Sequence, residues 1–132
     1  MALNLTPLRS ALLSLRDAFE EHSGQPDNKL MRDGVIQRFE FSYELAWKTL
    51  KRHLEEDLGR ENVDAQSRRE LFRQGAEAGL LADTEAWFGY HRARNETSHA
   101  YDERKAAQVY AAAKEFLPQA EALLARLEQK RA

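Results

Sequence analysis

The longest helical pattern in the chain runs from Asp27 or Asn28 to Gly59 and contains no proline. Its main apolar row recurs every three or four positions, the spacing that places residues on one face of an α-helix. This row contains Met31, Val35, Phe39, Tyr43, Ala46, Leu50 and Leu54. A second row contains Ile36, Phe41, Leu45 and Trp47. The helix is therefore predicted to be covered on more than one side, as a central bundle helix or a dimer surface is.

Two shorter helices are predicted from their end signals. Thr6 and Pro7 are an N-cap and a first-turn residue of a helix that ends near Gly24, and the loop SGQPDN follows it. Ser67 and Glu70 have the spacing of a capping box, which predicts a short helix after the long one. The residues that can close this short helix are Gly75 and Gly79.

Two more helices complete the chain. Asp83 and Thr84 are predicted to cap the segment EAWFGYHRARNE, and a last helix begins at about Asp102. Its apolar residues alternate between gaps of four and three, as in a heptad seam. They are Ala106, Tyr110, Ala113, Leu117, Ala120, Leu124 and Leu127. The seam keeps its phase on both sides of Pro118, so we expect a kink there and not a break, with a frayed tail at LEQKRA.

Five helices with short connections predict an all-α fold, an antiparallel up-and-down helical bundle, in one domain of residues 1–132. The low count of 6 Gly and 3 Pro agrees with this. We read no signal peptide after Met1 and no membrane span, and the absence of cysteine excludes disulfides, so we expect a soluble cytoplasmic protein. With 20 Lys and Arg against 22 Asp and Glu, any contact with nucleic acid has to come from a local patch.

The segment HRARNETSHAYDERK, residues 91–105, concentrates basic and polar side chains between the fourth and last helices. Arg94 shares a side of the fourth helix with Trp87 and other large aromatic residues, so it should be partly shielded. A shielded guanidinium needs an anion, because an unpaired buried charge is costly. The anion is either a carboxylate of the bundle, from Glu40 or Glu44, or a phosphate from outside.

His99 lies about 140° around an ideal helix from Arg94, so a straight helix would not direct both to one point. A turn at residues 97–101, favoured by Thr and Ser, would bring His99 back beside Arg94. Asn95 is placed to orient Arg94 or to donate a hydrogen bond to a phosphate oxygen. His91, Asn95 and His99 form an i, i+4, i+8 line that lacks the close ligand pair of zinc sites, so we expect no metal and no cofactor.

Three other features near or outside this segment have more than one interpretation. Tyr101 either packs against the last helix or presents its hydroxyl close to His99. Glu96 would repel a phosphate if it faced inward. The basic strip of the third helix is a solvated face, or less readily an edge that guides RNA. Its residues are Arg68, Arg69 and Arg73.

The segment RNETSH resembles the Arg-x4-6-His motif of HEPN domains, in which a polar residue often follows the arginine. More narrowly, RNETSHAYDE after Trp87, together with DGVIQRFEFSYELAWKTLKRHLEE upstream, resembles the HepT family, also described as nucleotidyltransferase substrate-binding proteins. The similarity covers roughly residues 5–125.

The resemblance implies a HEPN bundle that forms a homodimer, with two motifs facing each other across a cleft. It also implies a metal-independent ribonuclease that acts as the toxin of a toxin–antitoxin pair. The antitoxin would be an MntA-type minimal nucleotidyltransferase that transfers AMP to the tyrosine after the motif, here Tyr101. The site residues it implies are Arg94, Asn95 and His99.

The chemistry of these side chains agrees with that implication. RNA can be cleaved without metal when its 2′-hydroxyl attacks the adjacent phosphate, provided that an acid, a base and a cation are supplied. One chain offers one motif histidine, so a dimer would supply the acid and the base. Two other interpretations stay open: a non-catalytic subunit that positions a substrate for a nucleotidyltransferase, and a helical dimerisation protein in which Arg94 and His99 are structural.

Overall fold

The computed structural model describes residues 3–131 as six α-helices and one 3-10 turn, and no strand occurs among them. The helices are α1 (Thr6–Ser23), α2 (Lys29–Leu58), α3 (Arg60–Val63), α4 (Arg68–Glu77), α5 (Thr84–Asn95) and α6 (Glu103–Lys130), and the 3-10 turn is Thr97–His99. Met1, Ala2 and Ala132, which the predicted domain and tail include, lie outside the described residues. No helix of residues 3–131 has the length and apolar character that crossing a bilayer requires. The all-α prediction is confirmed.

Four of the predicted helix starts are confirmed by their side-chain caps. Asn28 accepts a hydrogen bond from the backbone N–H of residue 31 at the start of α2. Ser67 and Glu70 form the predicted capping box of α4. Asp83 caps α5, and Asp102 caps α6 by accepting from two backbone N–H groups. These short polar side chains satisfy N–H groups that have no partner inside the helix.

One predicted end signal is wrong, and of the two glycines predicted to close the short helix, Gly79 follows its end. Thr6 is the first residue of α1 and not its N-cap, because the Asn4 side chain accepts from the Thr6 N–H at 3.1 Å. Gly75 lies inside α4, where an added Cβ would be 3.1 Å from Leu50 of α2, so close helix packing explains this glycine. Gly79 follows the helix with a φ of +78°, a value that favours glycine.

The predicted number of five helices omits α3, a four-residue helix that follows Gly59 directly. Gly59 ends α2 with a φ of +93° and reverses the chain. Val63 of α3 is buried in the core. A single helical turn shows no periodicity in the sequence, so the pattern that predicts the long helices could not indicate it.

Side-chain pairs between helices give their relative directions. Helix α1 is antiparallel to α2 and α6. The segment that carries the motif, α5 with the turn after it, is also antiparallel to α2. Helices α2 and α6 run parallel. For α1 and α2 the pairs are Ser14 with Arg38 and Ala11 with Ser42, and for α1 and α6 they are Arg9 with Glu128 and Arg16 with Glu121. For α2 and the segment of α5 and its turn they are Glu44 with Arg94 and Glu40 with Thr97, and for α2 and α6 they are Arg32 with Glu103 and Glu56 with Arg131.

The core is centred on Phe116 of α6. Its ring meets those of Phe39, Trp87 and Tyr90 edge to face, with centroids 5.2–5.7 Å apart. Such pairs add to the free energy gained by burying the rings. Tyr43 lies beside them, fully buried. The main apolar row of α2 is core as predicted from Val35 to Leu54, whereas Met31 is only partly buried and Phe41 of the second row is 40% exposed.

Helix α6 continues through Pro118 without a break, as expected. Tyr110 and Leu124 of the predicted seam are only partly buried, and the other five seam residues are buried. The tail LEQKRA is exposed at residues 128–130 as expected, but it is not frayed as far as residue 131, because α6 continues to Lys130. Leu127 is fully buried, and Arg131 forms a 2.8 Å ion pair with Glu56 of α2. These contacts hold the last turn against α2.

Candidate functional site

The motif segment leaves α5 through the predicted turn. Helix α5 ends at Asn95, the 3-10 turn Thr97–His99 follows, and Asp102 then caps α6. The Thr97 hydroxyl oxygen lies 2.5 Å from a carboxylate oxygen of Glu40 and 2.8 Å from the Arg94 carbonyl oxygen. The turn is therefore tied both to α2 and to the end of α5, which fixes where the chain changes direction.

Arg94 is paired with Glu44, one of the two carboxylates expected for it. Its Nε donates to Glu44 Oε1 at 2.7 Å, and 35% of its side chain is exposed. The predicted partial shielding is confirmed. Neither terminal nitrogen of this guanidinium makes a hydrogen bond within residues 3–131. Two donating N–H₂ groups therefore remain for an anion that arrives from solvent.

The other oxygen of Glu44 is also engaged. Oε2 accepts from the indole Nε1 of Trp47 at 3.1 Å, and the Lys48 ammonium lies 3.8 Å away. Because both oxygens have partners, the carboxylate cannot turn without losing one of them. Glu44 thus holds the Arg94 guanidinium in one orientation.

The other three candidate residues are open to solvent. Asn95 and His99 are exposed, and Tyr101 is 85% exposed. The structure brings the His99 and Tyr101 rings together, with centroids 6.4 Å apart in an edge-on arrangement. Within the described part of the chain, His99 and Arg94 share no hydrogen bond, and the side chains of Asn95, His99 and Tyr101 have no hydrogen-bond partner. Their polar atoms are available to another molecule.

Glu96, the acidic residue inside the motif, is turned toward α6. Its carboxylate lies 3.1 Å from the ammonium of Lys105. This pair offsets the negative charge that would otherwise repel a phosphate near Arg94. The basic character of the motif is kept as a result.

A second polar cluster lies beside the motif, and sequence reasoning missed it. The Tyr43 hydroxyl is 2.9 Å from His91 Nδ1, and a terminal nitrogen of Arg68 is 3.1 Å from the same hydroxyl. The Arg68 guanidinium lies over the Trp47 ring, with its central carbon 3.4 Å from the ring centroid. These residues come from three helices. The hydrogen-bonded pairs among them are 23 to 48 positions apart in the sequence, so no local spacing indicates the cluster.

The protonation states in this cluster follow from burial. Burial raises the pKa of Tyr43 to about 12, so its hydroxyl keeps its proton. Burial, and then the charge of Arg68, lowers the pKa of His91. A neutral His91 accepts at Nδ1 from Tyr43 and carries its proton on Nε2. Within residues 3–131, no group of three or more acidic or histidine side chains is placed to hold a metal ion.

Comparison with known proteins places the chain in a family. Residues 3–129 match the family described as nucleotidyltransferase substrate binding protein like. A protein of Haemophilus influenzae named probable ribonuclease HepT is 36% identical over an alignment of 139 residues. The alignment covers 97% of this chain and 94% of the relative. The chain belongs to this nucleotidyltransferase substrate-binding family, as a HepT-type HEPN protein, and the predicted resemblance to the HepT family is confirmed.

Two solved structures have the same fold. One, from Haemophilus influenzae, is described as the fold of a substrate binding domain of a nucleotidyltransferase; it has a TM-score of 0.88 and 34% identity, and the match covers 95% of this chain and 99% of the other. A protein of Thermus thermophilus has a TM-score of 0.76 and 31% identity over 91% of this chain and 98% of its own.

The lowered pKa of His91 predicts a pH-dependent stability. The unfolded chain binds a proton at His91 more readily than the folded chain, so His91 favours folding fully above its ordinary pKa of about 6.5. That contribution is lost as the pH falls through the lower, folded value. In His91→Asn, the amide oxygen can accept from Tyr43 but does not titrate. Thermal unfolding at pH 7.5 and 5.5 should therefore show a larger fall in Tm for the wild type than for this variant. Equal falls would contradict the neutral state of His91.

Proposed function

We propose that this protein is a metal-independent endoribonuclease, the toxin of a type VII HepT/MntA-type toxin–antitoxin pair. The observation that carries the proposal is the state of Arg94. Its Nε is anchored on Glu44 while both terminal nitrogens stay free, and an exposed His99 follows one short turn later. The similar protein named probable ribonuclease HepT supports the same function.

The proposed reaction uses the RNA as its own nucleophile. His99 of one protomer removes the proton from a 2′-hydroxyl, whose oxygen attacks the adjacent phosphorus. The bond from phosphorus to the 5′-oxygen breaks, and His99 of the other protomer protonates that leaving oxygen. Arg94 stabilises the crowded phosphate through its terminal nitrogens, and Asn95 orients it. DNA is not cleaved because it lacks the 2′-hydroxyl.

A second copy of the chain is the partner that this reaction requires. A groove of about 430 Å³ runs along α2 beside the motif turn, lined by Leu30, Gly34, Glu40, Thr97 and others. Leu30 is 83% exposed, although it is apolar. A larger groove of about 620 Å³ between α1 and α2 shares Leu30. Covering these grooves with a second copy would bury Leu30 and bring two motif turns together.

Leu30→Asp should therefore give a monomer that no longer cleaves RNA. Aspartate in the first turn of α2 is favourable for the helix, so the fold should be kept. Sedimentation at micromolar concentration would report the mass, and the control is Leu58→Gln, a polar replacement without charge at a residue 41% exposed outside both grooves. A Leu30→Asp protein that stays dimeric would exclude this face as the interface.

Cleavage should depend on Arg94 and His99 and not on metal. In EDTA, the wild type should degrade total RNA, while His99→Ala should be slower by roughly 10²–10⁴-fold and Arg94→Ala by roughly 10²–10³-fold. Circular dichroism and Tm of each variant provide the control for folding. If Arg94→Ala unfolds the protein, the Arg94–Glu44 pair is mainly structural.

The family description favours a second candidate, a non-catalytic subunit that binds a substrate for a nucleotidyltransferase. The same assay separates the two. Intact RNA with both the wild type and His99→Ala would support the binding role, because no chemistry would then depend on the exposed imidazole.

The antitoxin is proposed to be an MntA-type nucleotidyltransferase that modifies Tyr101. The Tyr101 oxygen attacks the α-phosphorus of ATP, pyrophosphate leaves, and the hydroxyl proton is lost to solvent. At 85% exposure this hydroxyl is accessible, and its ring lies beside His99. The added phosphate would occupy the free nitrogens of Arg94 and exclude the RNA backbone.

Tyr101→Phe should abolish AMP transfer and keep nuclease activity, because only the acceptor oxygen is removed. Mass spectrometry after incubation with ATP, magnesium and the purified nucleotidyltransferase would measure the addition. Tyr110→Phe, which removes a half-buried hydroxyl bonded to His22, is the matched control and should still accept AMP. Inhibition of Tyr101→Phe by the same treatment would contradict the switch.

A further inference from the structure

A small pocket lies on the side of α2 that faces α3 and α4, outside the motif segment. Its volume is about 220 Å³, and Trp47, Lys51, Gln66 and Arg68 are among its lining residues. Pockets that hold whole cofactors or drug-sized ligands are larger, on the order of 300–1,000 Å³. The pocket therefore has room for one planar ring system and not for a complete cofactor.

The wall of the pocket is a preformed stack of two planar groups. The Arg68 guanidinium lies over the Trp47 ring at 3.4 Å from its centroid. Arg68 is also held from the side by the Tyr43 hydroxyl at 3.1 Å and lies 3.4 Å from His91. Within residues 3–131, no carboxylate forms an ion pair with Arg68. Its plane is thus fixed by neutral partners, and its charge is not offset.

Apart from Arg68, the polar groups of the pocket fit a base better than a phosphate. The Lys51 ammonium is already paired with Asp64 at 3.0 Å, so it offers little to an anion. Gln66 donates through Nε2 to Gln74, while its Oε1 is buried and accepts no hydrogen bond within the described residues. This oxygen is closed to solvent, so it would accept from the amino group of a nucleobase once the Gln66 side chain turns toward the pocket.

The pocket is connected to the motif through one carboxylate. Trp47 donates its indole N–H to Glu44 Oε2, and Glu44 Oε1 accepts from Arg94. The guanidinium that would hold the scissile phosphate and the ring at the pocket therefore bond to the same side chain. A ligand that moves Trp47 acts directly on the anchor of Arg94.

We infer that this pocket is a subsite for one unpaired nucleobase of the RNA, stacked on Arg68 over Trp47 and bound at its edge by Gln66. The inference rests on the proposed ribonuclease function and adds a base-binding position near the cleavage site. Stacking on an arginine plane or an aromatic ring is how proteins commonly bind single-stranded bases.

The test observes Trp47 directly. The chain has two tryptophans, and Trp87 is buried in the core, so a ¹⁵N spectrum contains two indole signals that Trp47→Phe assigns. The probe is a mixed-sequence single-stranded 2′-O-methyl-RNA decamer, which the proposed reaction cannot cleave. Addition of the decamer should shift the Trp47 signal to saturation and leave that of Trp87 in place. Ribose 5-phosphate, which has no base, reports any shift transmitted from Arg94 through Glu44, and it should move the Trp47 signal less than the decamer does.

Two results would overturn the subsite: a decamer that binds without moving the Trp47 signal, or an equal shift with ribose 5-phosphate. Cleavage of natural RNA in EDTA is measured separately. Cleavage with an unmoved Trp47 signal removes the subsite and keeps the nuclease. A moving Trp47 signal with intact RNA keeps the base-binding site and removes the nuclease.

A matched pair of variants tests the stack. Arg68→Lys keeps the charge and loses the plane, so affinity for the decamer should fall roughly tenfold. Arg69→Lys makes the same change one residue away, over Phe88, and should bind as the wild type does. Equal affinities of the two variants would contradict a stacked base. The wild-type titration decides the matter if Arg68→Lys is unstable.

Discussion

The structure depends on α2, because other helices pack against several of its sides at once. The buried residues of its main apolar row pack in the core with those of α1, α5 and α6. On another side, Gly75 of α4 lies close to Leu50 of α2. A helix of 30 residues that is covered in this way cannot shift along its axis without disturbing every neighbour. The polar residues on its edges are therefore held in fixed positions. That rigidity is what allows side chains of α2 to position groups that lie far along the sequence.

Glu40 and Glu44, one turn apart on α2, use this rigidity at the motif. Glu40 meets the Thr97 hydroxyl, and Glu44 binds Arg94. The ion pair with Glu44 does not exclude the role proposed for Arg94 in binding a phosphate. The pair uses only Nε, so the guanidinium is oriented by the bundle and still has two free N–H₂ groups. An ion pair this exposed contributes little to stability, and orientation is the larger consequence.

The sequence predicts the parts of this protein that depend on local spacing. The caps at Asn28, Ser67, Asp83 and Asp102 are confirmed because each requires only a polar side chain next to a helical pattern. The turn at residues 97–101 is predicted for the same reason, because it requires only Thr and Ser side chains at the end of a helical pattern. The sequence predicts that Arg94 pairs with Glu40 or Glu44. The choice between these two carboxylates depends on how α5 packs against α2, which local spacing does not indicate. The cluster around Tyr43 was not predicted, because it depends on how three helices meet.

The surroundings of the histidines bear on the proposal that two protomers form the site. The chain has four histidines. His22 and His53 are buried, and His91 bonds to Tyr43 in a site where burial, and then the charge of Arg68, lowers its pKa. Of the four, His99 alone has an exposed ring with no hydrogen-bond partner among residues 3–131. A reaction that needs both a proton acceptor and a proton donor would therefore have to draw two imidazoles from two copies of the chain. The exposed Leu30 surface beside the motif turn is where such a second copy would lie.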